Sequence, residues 1–323
     1  MRLEGKRALV TGSSRSIGRA IGRMLAMEGA KVAINARGSD SAGLHAIDEV
    51  VEEIRAAGGT AIGLAGPVNH PNSAKQLIDG CVEAFGGIDI LINNAGTYSI
   101  EGVSPVTGCT DDAWQQTLDV NLNGVFYTCR AALPHMVRQR WGRIVNAGSV
   151  AGTGRFGGSA YSASKAALFG LGRSMAADYG PYGITINTYN PEAHPVQDRS
   201  YYPAVVQNWI ERGYVEPAEA AFRAGMGGPE GVAPWIVYLC TEEAAYLNGQ
   251  VFAVDARRVA LLADPNEARV LFRDVARDGD WSIASLSSVA PLAFPVRNHW
   301  PRRTDDDLAR WESPLTQFVP PHN

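Results

Sequence analysis

Val10-Thr11-Gly12-Ser13-Ser14-Arg15-Ser16-Ile17-Gly18 is the stretch whose reading decides the fold. It continues the aliphatic run Ala8-Leu9-Val10 and leads into an amphipathic segment from about Ile17 to Glu28. A strand, a tight turn and a helix are expected in that order. Gly12 permits the turn, and Gly18 lets the helix come close to the sheet. The first turn of such a helix leaves backbone N–H groups without intrahelical acceptors, at the positive end of the helix dipole. Together they suit an anionic phosphate. An ordinary strand-to-helix turn has the same outline, so the surroundings must carry the argument.

Outward from this loop, short aliphatic runs alternate with amphipathic stretches. Lys31-Val32-Ala33-Ile34 is followed by Leu44, Ile47, Val50, Val51 and Ile54, which share one helix face. Gly58-Gly59 ends that helix. Ala61 to Leu64, Ile88 to Ile92, Arg143 to Asn146, Ile184 to Asn187 and Val251 to Val254 read as further strands. Strands separated by helices pair in parallel through crossovers. The expected fold is α/β, a Rossmann-type doubly wound parallel sheet with helices on both faces, spanning residues 1–256. Val251 to Asp255 is expected at the sheet's edge.

Residues 257–323 break the rhythm with seven prolines, from Pro265 to Pro321, and with Trp281, Trp300 and Trp311. Proline removes donors and ends helices. An irregular C-terminal extension is expected, with short helices near 265–277 and 281–289. Its aromatic and aliphatic side chains need a surface to pack on, either the domain itself or a neighbouring subunit.

Composition narrows the classes. A net charge of −4, from 29 Lys and Arg against 33 Asp and Glu, gives no electrostatic footprint for nucleic acid or an anionic membrane. Hydrophobic residues make up 46% of the chain, enough for a full core. Cys81, Cys109, Cys129 and Cys240 lie far apart without metal-ligand spacing, so no metal site is expected. With no apolar leader or membrane-spanning run in the sequence, a cytoplasmic protein is expected.

The chemistry centres on Tyr161-Ser162-Ala163-Ser164-Lys165. Residues four apart share a helix face, so a phenol and an ammonium can point the same way. A free tyrosine has a pKa of about 10, and a nearby cation favours its phenolate. Ser149, just past the strand ending Val145-Asn146, can hydrogen-bond a substrate carbonyl or carbinol oxygen.

Taken with Asn93-Asn94-Ala95-Gly96 and with Asn121 in Val120-Asn121-Leu122-Asn123-Gly124, these features resemble the short-chain dehydrogenase/reductase family over about residues 4–256. The resemblance implies an enzyme moving hydride between a nicotinamide cofactor and a small-molecule ketone or secondary alcohol. It implies Tyr161 as acid/base, Lys165 holding the ribose and lowering the tyrosine pKa, and Ser149 positioning the carbonyl oxygen. Asn121 would hold a water that relays protons to the lysine. The cofactor would lie against Gly12, Ser14, Arg15, Ser16, Ile17, Gly18, Arg37, Val68, Asn93, Ala95, Gly96, Tyr161, Lys165, Pro191 and His194. Family members pair through two long helices, here about 111–138 and 160–179, so a homodimer or homotetramer is expected.

The end of the second strand reads Ile34-Asn35-Ala36-Arg37, with no acid for a ribose 2′-hydroxyl before Asp40. Arg37 and Arg15 can flank a 2′-phosphate instead, so NADP is expected ahead of NAD. Other positions depart from the family. Ser16 stands for its middle glycine, and Pro67-Val68 for its Asp-Val. Asn190-Pro191-Glu192-Ala193-His194-Pro195-Val196 replaces a Pro-Gly loop that ends in threonine. Either Glu192 and His194 reshape the nicotinamide pocket, or the loop has drifted and its backbone still makes the contact. The segment from about 197 to 228, where the family carries its substrate lid, holds Tyr201, Tyr202, Trp209, Tyr214 and Phe222. These aromatics suit a bulky, apolar or ring-containing substrate, or plain packing. Besides the reductase, the sequence leaves open a cofactor-binding scaffold without turnover and lyase or dehydratase chemistry on the same fold.

Overall fold

Continuous aliphatic runs such as Ile90-Leu91-Ile92 need a strand covered on both faces. The computed structural model builds that strand, with every residue of β4 (Ile90–Asn93) and of its neighbour β5 (Gly142–Ala147) buried. It describes residues 1–38, 41–99, 101–154, 158–193, 207, 210, 227–263, 277 and 282–293. The other strands are β1 (Arg7–Val10), β2 (Lys31–Ala36), β3 (Thr60–Ala65), β6 (Ile184–Pro191), β7 (Val251–Val254) and β8 (Val259–Leu261). They form one sheet in the order β3-β2-β1-β4-β5-β6-β7-β8. All pairs are parallel except β7 with β8. The order reverses between β1 and β4, and in such sheets ligands bind beyond the carboxyl ends of the strands at that point.

The helices lie in two layers. One core cluster joins α1 (Ser16–Met27), α2 (Ser41–Ala56) and α7 (Ala233–Tyr238) to the sheet through Ile21, Leu25, Val50, Ile54 and Ile236. The other joins α3 (Pro71–Phe85), α5 (Gly124–Gln139) and α6 (Ala160–Tyr179) through Ile78, Leu133, Leu168 and Met175. Local signals set the helix ends. Pro71 opens α3 at its first turn, and Gly86 closes it at φ +82°. Thr110 caps α4 (Asp111–Leu118) by accepting from the Ala113 N–H, with Asp111 and Asp112 in the first turn. Between α4 and α5 the chain runs through a π-helical turn, Asp119–Asn123. Such turns gather at functional sites.

One expectation about the C-terminal side is corrected. β7 does not form the edge of the sheet. The chain turns at Asp255 to Arg258 and returns as β8, pairing Phe252 with Leu261 and Val254 with Val259. The hairpin satisfies backbone groups that an edge strand leaves unpaired. Met1–Leu262 falls in one compact unit, so the sheet-bearing unit runs past residue 256. A second unit, Ala263–Glu312, contains α8 (Ile283–Ala293), near the second short helix expected in the extension. The first, near 265–277, and the aromatic segment Tyr201 to Phe222 lie outside the described residues, save isolated positions.

Candidate active site

The phosphate loop is built from both flanking strands. Gly12 takes φ +62°, and a Cβ there would fall 2.8 Å from the Ala95 Cα. A Cβ on Gly18 would fall 2.5 Å from Asn94 Nδ2. Both positions therefore require glycine for close approach. Thr11 Oγ1 accepts from the Asn94 and Ala95 N–H groups, each at 3.0 Å. Asn94 Nδ2 donates to the carbonyls of Thr11 (3.1 Å) and Gly12 (3.0 Å). On the other side Asn35 accepts from the Gly12 N–H through Oδ1 at 3.2 Å, and its Nδ2 donates to the carbonyls of Leu64 and Gly66. Ser13 Oγ donates to the Val10 carbonyl and accepts from the Asn35 N–H. Ser16 holds φ +51°, a conformation that disfavours a Cβ, at the position where the loop's glycine is missing.

Several observations fit a nicotinamide dinucleotide here. The start of α1 has no side-chain cap, so its first-turn N–H groups are open to an anion. Arg15 and Arg37 are exposed, and among the described residues neither has a carboxylate partner. A Cβ on Gly96 would fall 3.4 Å from Asn121 Oδ1 and 3.6 Å from Lys165 Nζ, so the bare glycine leaves a cradle between them.

At the candidate catalytic end, the Ser149 hydroxyl lies near enough to the Tyr161 phenol to favour its charged form. Ser149 also caps the short helix Val150–Thr153 by accepting from the Ala151 N–H at 3.1 Å, which fixes its rotamer. Lys165 is 4% exposed, donates to the Ala147 carbonyl at 2.7 Å and lies 5.8 Å from the centre of the Tyr161 ring. Asn121 sits in the π turn with its amide bonded to the Thr97 N–H, the Thr97 carbonyl and Ser164 Oγ. Tyr98 is 61% exposed and meets the Tyr161 ring edge-on, with centroids 6.4 Å apart.

Burial dominates the electrostatics. It pushes the Tyr161 phenol above its ordinary value; the Ser149 hydroxyl pulls the other way. Burial also lowers Lys165 to about 8. The expected lowering of Tyr161 by Lys165 is therefore not what this arrangement produces, because desolvation disfavours both charged forms. Two hydroxyls converge with a lysine that can lose its proton near neutral pH. The group can hold a carbonyl oxygen and exchange a proton with it.

The structure thus gathers Asn121, Ser149, Tyr161 and Lys165 around one point, with Gly96 alongside. Gly12, Ser14, Arg15, Ser16, Ile17 and Gly18 line the opening of α1, and Arg37 follows β2. Two expected cofactor residues have their side chains held in packing. Asn93 is buried, with its amide on Asn146, Cys129 and Thr128. Val68 is buried against Gly124, where a Cβ would fall 2.8 Å from its Cγ2. Pro191 ends β6, paired with Val254. His194 lies outside the described residues. Glu192 is 4% exposed and accepts from Arg258 Nη2 at 2.8 Å, so its carboxylate is tied to the β7–β8 turn. Sequence reasoning missed Thr11, Asn35, Asn94, Ser164 and Tyr189 as supports. Thr11, Asn35, Asn94 and Ser164 stood inside stretches already noticed; Tyr189 carries no local signal.

Among the described residues no helix is long and apolar enough to cross a membrane, and no group of three or more His, Cys, Asp or Glu could hold a metal ion.

Comparison with known proteins gives the family. The family model for short chain dehydrogenases matches residues 6–196. A 3-oxoacyl-[acyl-carrier-protein] reductase FabG from Vibrio cholerae is 34% identical over 257 residues, covering 79% of this chain and 98% of the relative. Short-chain dehydrogenase/reductase eriH from Hericium erinaceus is 34% identical, covering 78% and 97%. Among solved structures, a short chain dehydrogenase from Mycobacterium avium superposes with a TM-score of 0.76 at 29% identity, covering 94% of this chain and 98% of that one.

Proposed function

The chain belongs to the short-chain dehydrogenase family, and we propose that within it the protein is an NADPH-dependent reductase of ketones to secondary alcohols. It is an NAD(P)-dependent oxidoreductase acting on CH–OH and C=O groups. The observation that carries the finer reading is the convergence of Ser149, Tyr161 and Lys165 beside the Gly96 cradle. The bound dinucleotide would supply the hydride. Ser149 and Tyr161 hold the carbonyl oxygen between their hydroxyls. The Tyr161 phenol, kept protonated by burial, gives its proton to that oxygen. Lys165, with its pKa near 8, resupplies protons and holds the ribose. Arg15 and Arg37 meet the 2′-phosphate, which supports NADP over NAD. The exposed ring of Tyr98 beside the phenol favours a bulky, apolar or ring-containing substrate.

The test is NADPH oxidation over a panel of ketones that includes 3-oxoacyl thioesters, with Tyr161→Phe as the control. Turnover of no carbonyl by the unaltered protein would defeat the reading. The reductase is also proposed to act as a homodimer or homotetramer through α5 and α6. Phe126 on α5 is 43% exposed with Arg130 stacked 5.0 Å from its centre, a surface suited to a symmetric partner. Sedimentation should show a dimer or tetramer at micromolar concentration; a monomer alone would refute it.

A further inference from the structure

Tyr189 lies on β6, fully buried, and its hydroxyl donates to Asn94 Oδ1 at 3.0 Å. No motif asks for a tyrosine there. An amide offers an acceptor on one side and a donor on the other. With the Tyr189 hydroxyl on Oδ1, Nδ2 is turned toward the Thr11 and Gly12 carbonyls, which it holds at 3.1 and 3.0 Å. Turned over, the amide would set its oxygen against two carbonyl oxygens and its NH₂ against the phenol. The same Nδ2 is wedged against Gly18, at the far end of the loop. Burial raises the Tyr189 phenol, so it remains a donor at any working pH. The main chain of Tyr189 does a second job. Its carbonyl accepts from the Gly148 N–H at 2.8 Å, one residue before Ser149.

One residue therefore reaches both halves of the site, the phosphate loop through its side chain and the serine through its backbone. We propose that Tyr189 is a positioning residue: by orienting the Asn94 amide it sets the shape of the phosphate loop that receives the pyrophosphate of a dinucleotide. This rests on the reading of that loop as a dinucleotide site.

The experiment is direct titration of Tyr189→Phe, which keeps the ring and removes only the hydroxyl. The dissociation constants of NADPH and of ADP-ribose should each rise about fivefold, the worth of one typical hydrogen bond. That of 2′-AMP, which has no pyrophosphate, should stay within twofold, and kcat at saturating NADPH should hold. In an Asn94→Ala background the same change should add nothing. A residue serving stability alone would lower the melting temperature and leave all three constants unmoved, and that result overturns the proposal. So does an equal rise for 2′-AMP, or full additivity with Asn94→Ala. Unaltered protein that binds neither NADPH nor NADH would instead bring down the functional reading on which the proposal stands.

Discussion

The phosphate loop and the catalytic helix stand at the same end of the sheet, and the protein treats their polar groups in opposite ways. The side chains that frame the loop all find protein partners. Thr11 serves two backbone N–H groups, Asn35 spans three strands, and Asn94 holds two carbonyls while receiving Tyr189. Around the helix, Lys165 is buried with one carbonyl acceptor and no carboxylate among the described residues, and Tyr161 is held away from its charged form. Both polar atoms of the Asn190 side chain are buried without a hydrogen-bond partner among the described residues. The frame of the first region is finished before any ligand arrives and contributes rigidity, with the open N–H groups of α1, Arg15 and Arg37 facing outward from it. The second is left incomplete, at a cost in stability, as the proposed proton exchange by its groups requires.

The largest effect expected from breaking this contrast is on chemistry. Tyr161→Phe removes the proton and leaves the loop untouched, so turnover should fall by about 10²–10⁴-fold with the NADPH dissociation constant unchanged. Steady-state kinetics beside a binding titration measures both. Undiminished turnover would place the acid elsewhere.

The next effect is on stability. A lysine lowered from 10.5 to about 8 binds fewer protons folded than unfolded between those values. Stability from this group therefore rises with pH across that window, and its full cost is present below pH 8. Lys165→Met should abolish turnover and stabilise the fold by up to about 3 kcal/mol at pH 7, less the lost bond to Ala147. The gain should fall below half by about pH 9.5. Urea unfolding at the two pH values reads it, and a destabilised variant at pH 7 would reverse the interpretation of Lys165 as an uncompensated charge.

On the loop side, Arg37→Asp exchanges a phosphate partner for a ribose partner. NADPH binding should weaken on the order of 10–100-fold and NADH should become the preferred cofactor. Equal dissociation constants for NADPH and NADH in the unaltered protein would contradict the role given to Arg37. The smallest effect sharpens the comparison from within the finished region. Ser16 is its one strained residue, at φ +51°. Ser16→Gly should add about 1 kcal/mol in thermal or urea unfolding. No gain, or a loss, would mean that the serine hydroxyl compensates for its backbone.

The proposed catalytic set was legible in the sequence in part because helical spacing puts residues four apart on one face. Tyr161 and Lys165 stood out by that spacing together with Ser149, Asn121 and the Asn93-Asn94-Ala95-Gly96 run. Asn121 was legible as a motif, while the π turn that carries it was not, since α4 and α5 read as one unbroken helix. The electrostatics also escaped. Proximity of a cation argues for a lowered tyrosine pKa, and only burial, a property of the whole fold, shows that desolvation is stronger here. Glu192 left two readings open because its partner, Arg258, lies across the β7–β8 turn, beyond any local window.

By itself, then, the sequence determined the order of strands and helices, the glycine turn before α1 and the side chains that can do the chemistry. All of these depend on contacts a few residues apart, or on the period of a single element. Tertiary structure alone decided what the side chains of Asn93 and Val68 pack against, that β8 covers the edge of β7 and that Tyr189 reaches Asn94. Those are contacts between segments far apart in the chain, and their partners become neighbours only when the sheet assembles. Burial belongs to the same class, and so do the proton affinities of Tyr161 and Lys165, because solvent is excluded by the packed layers and by no single residue.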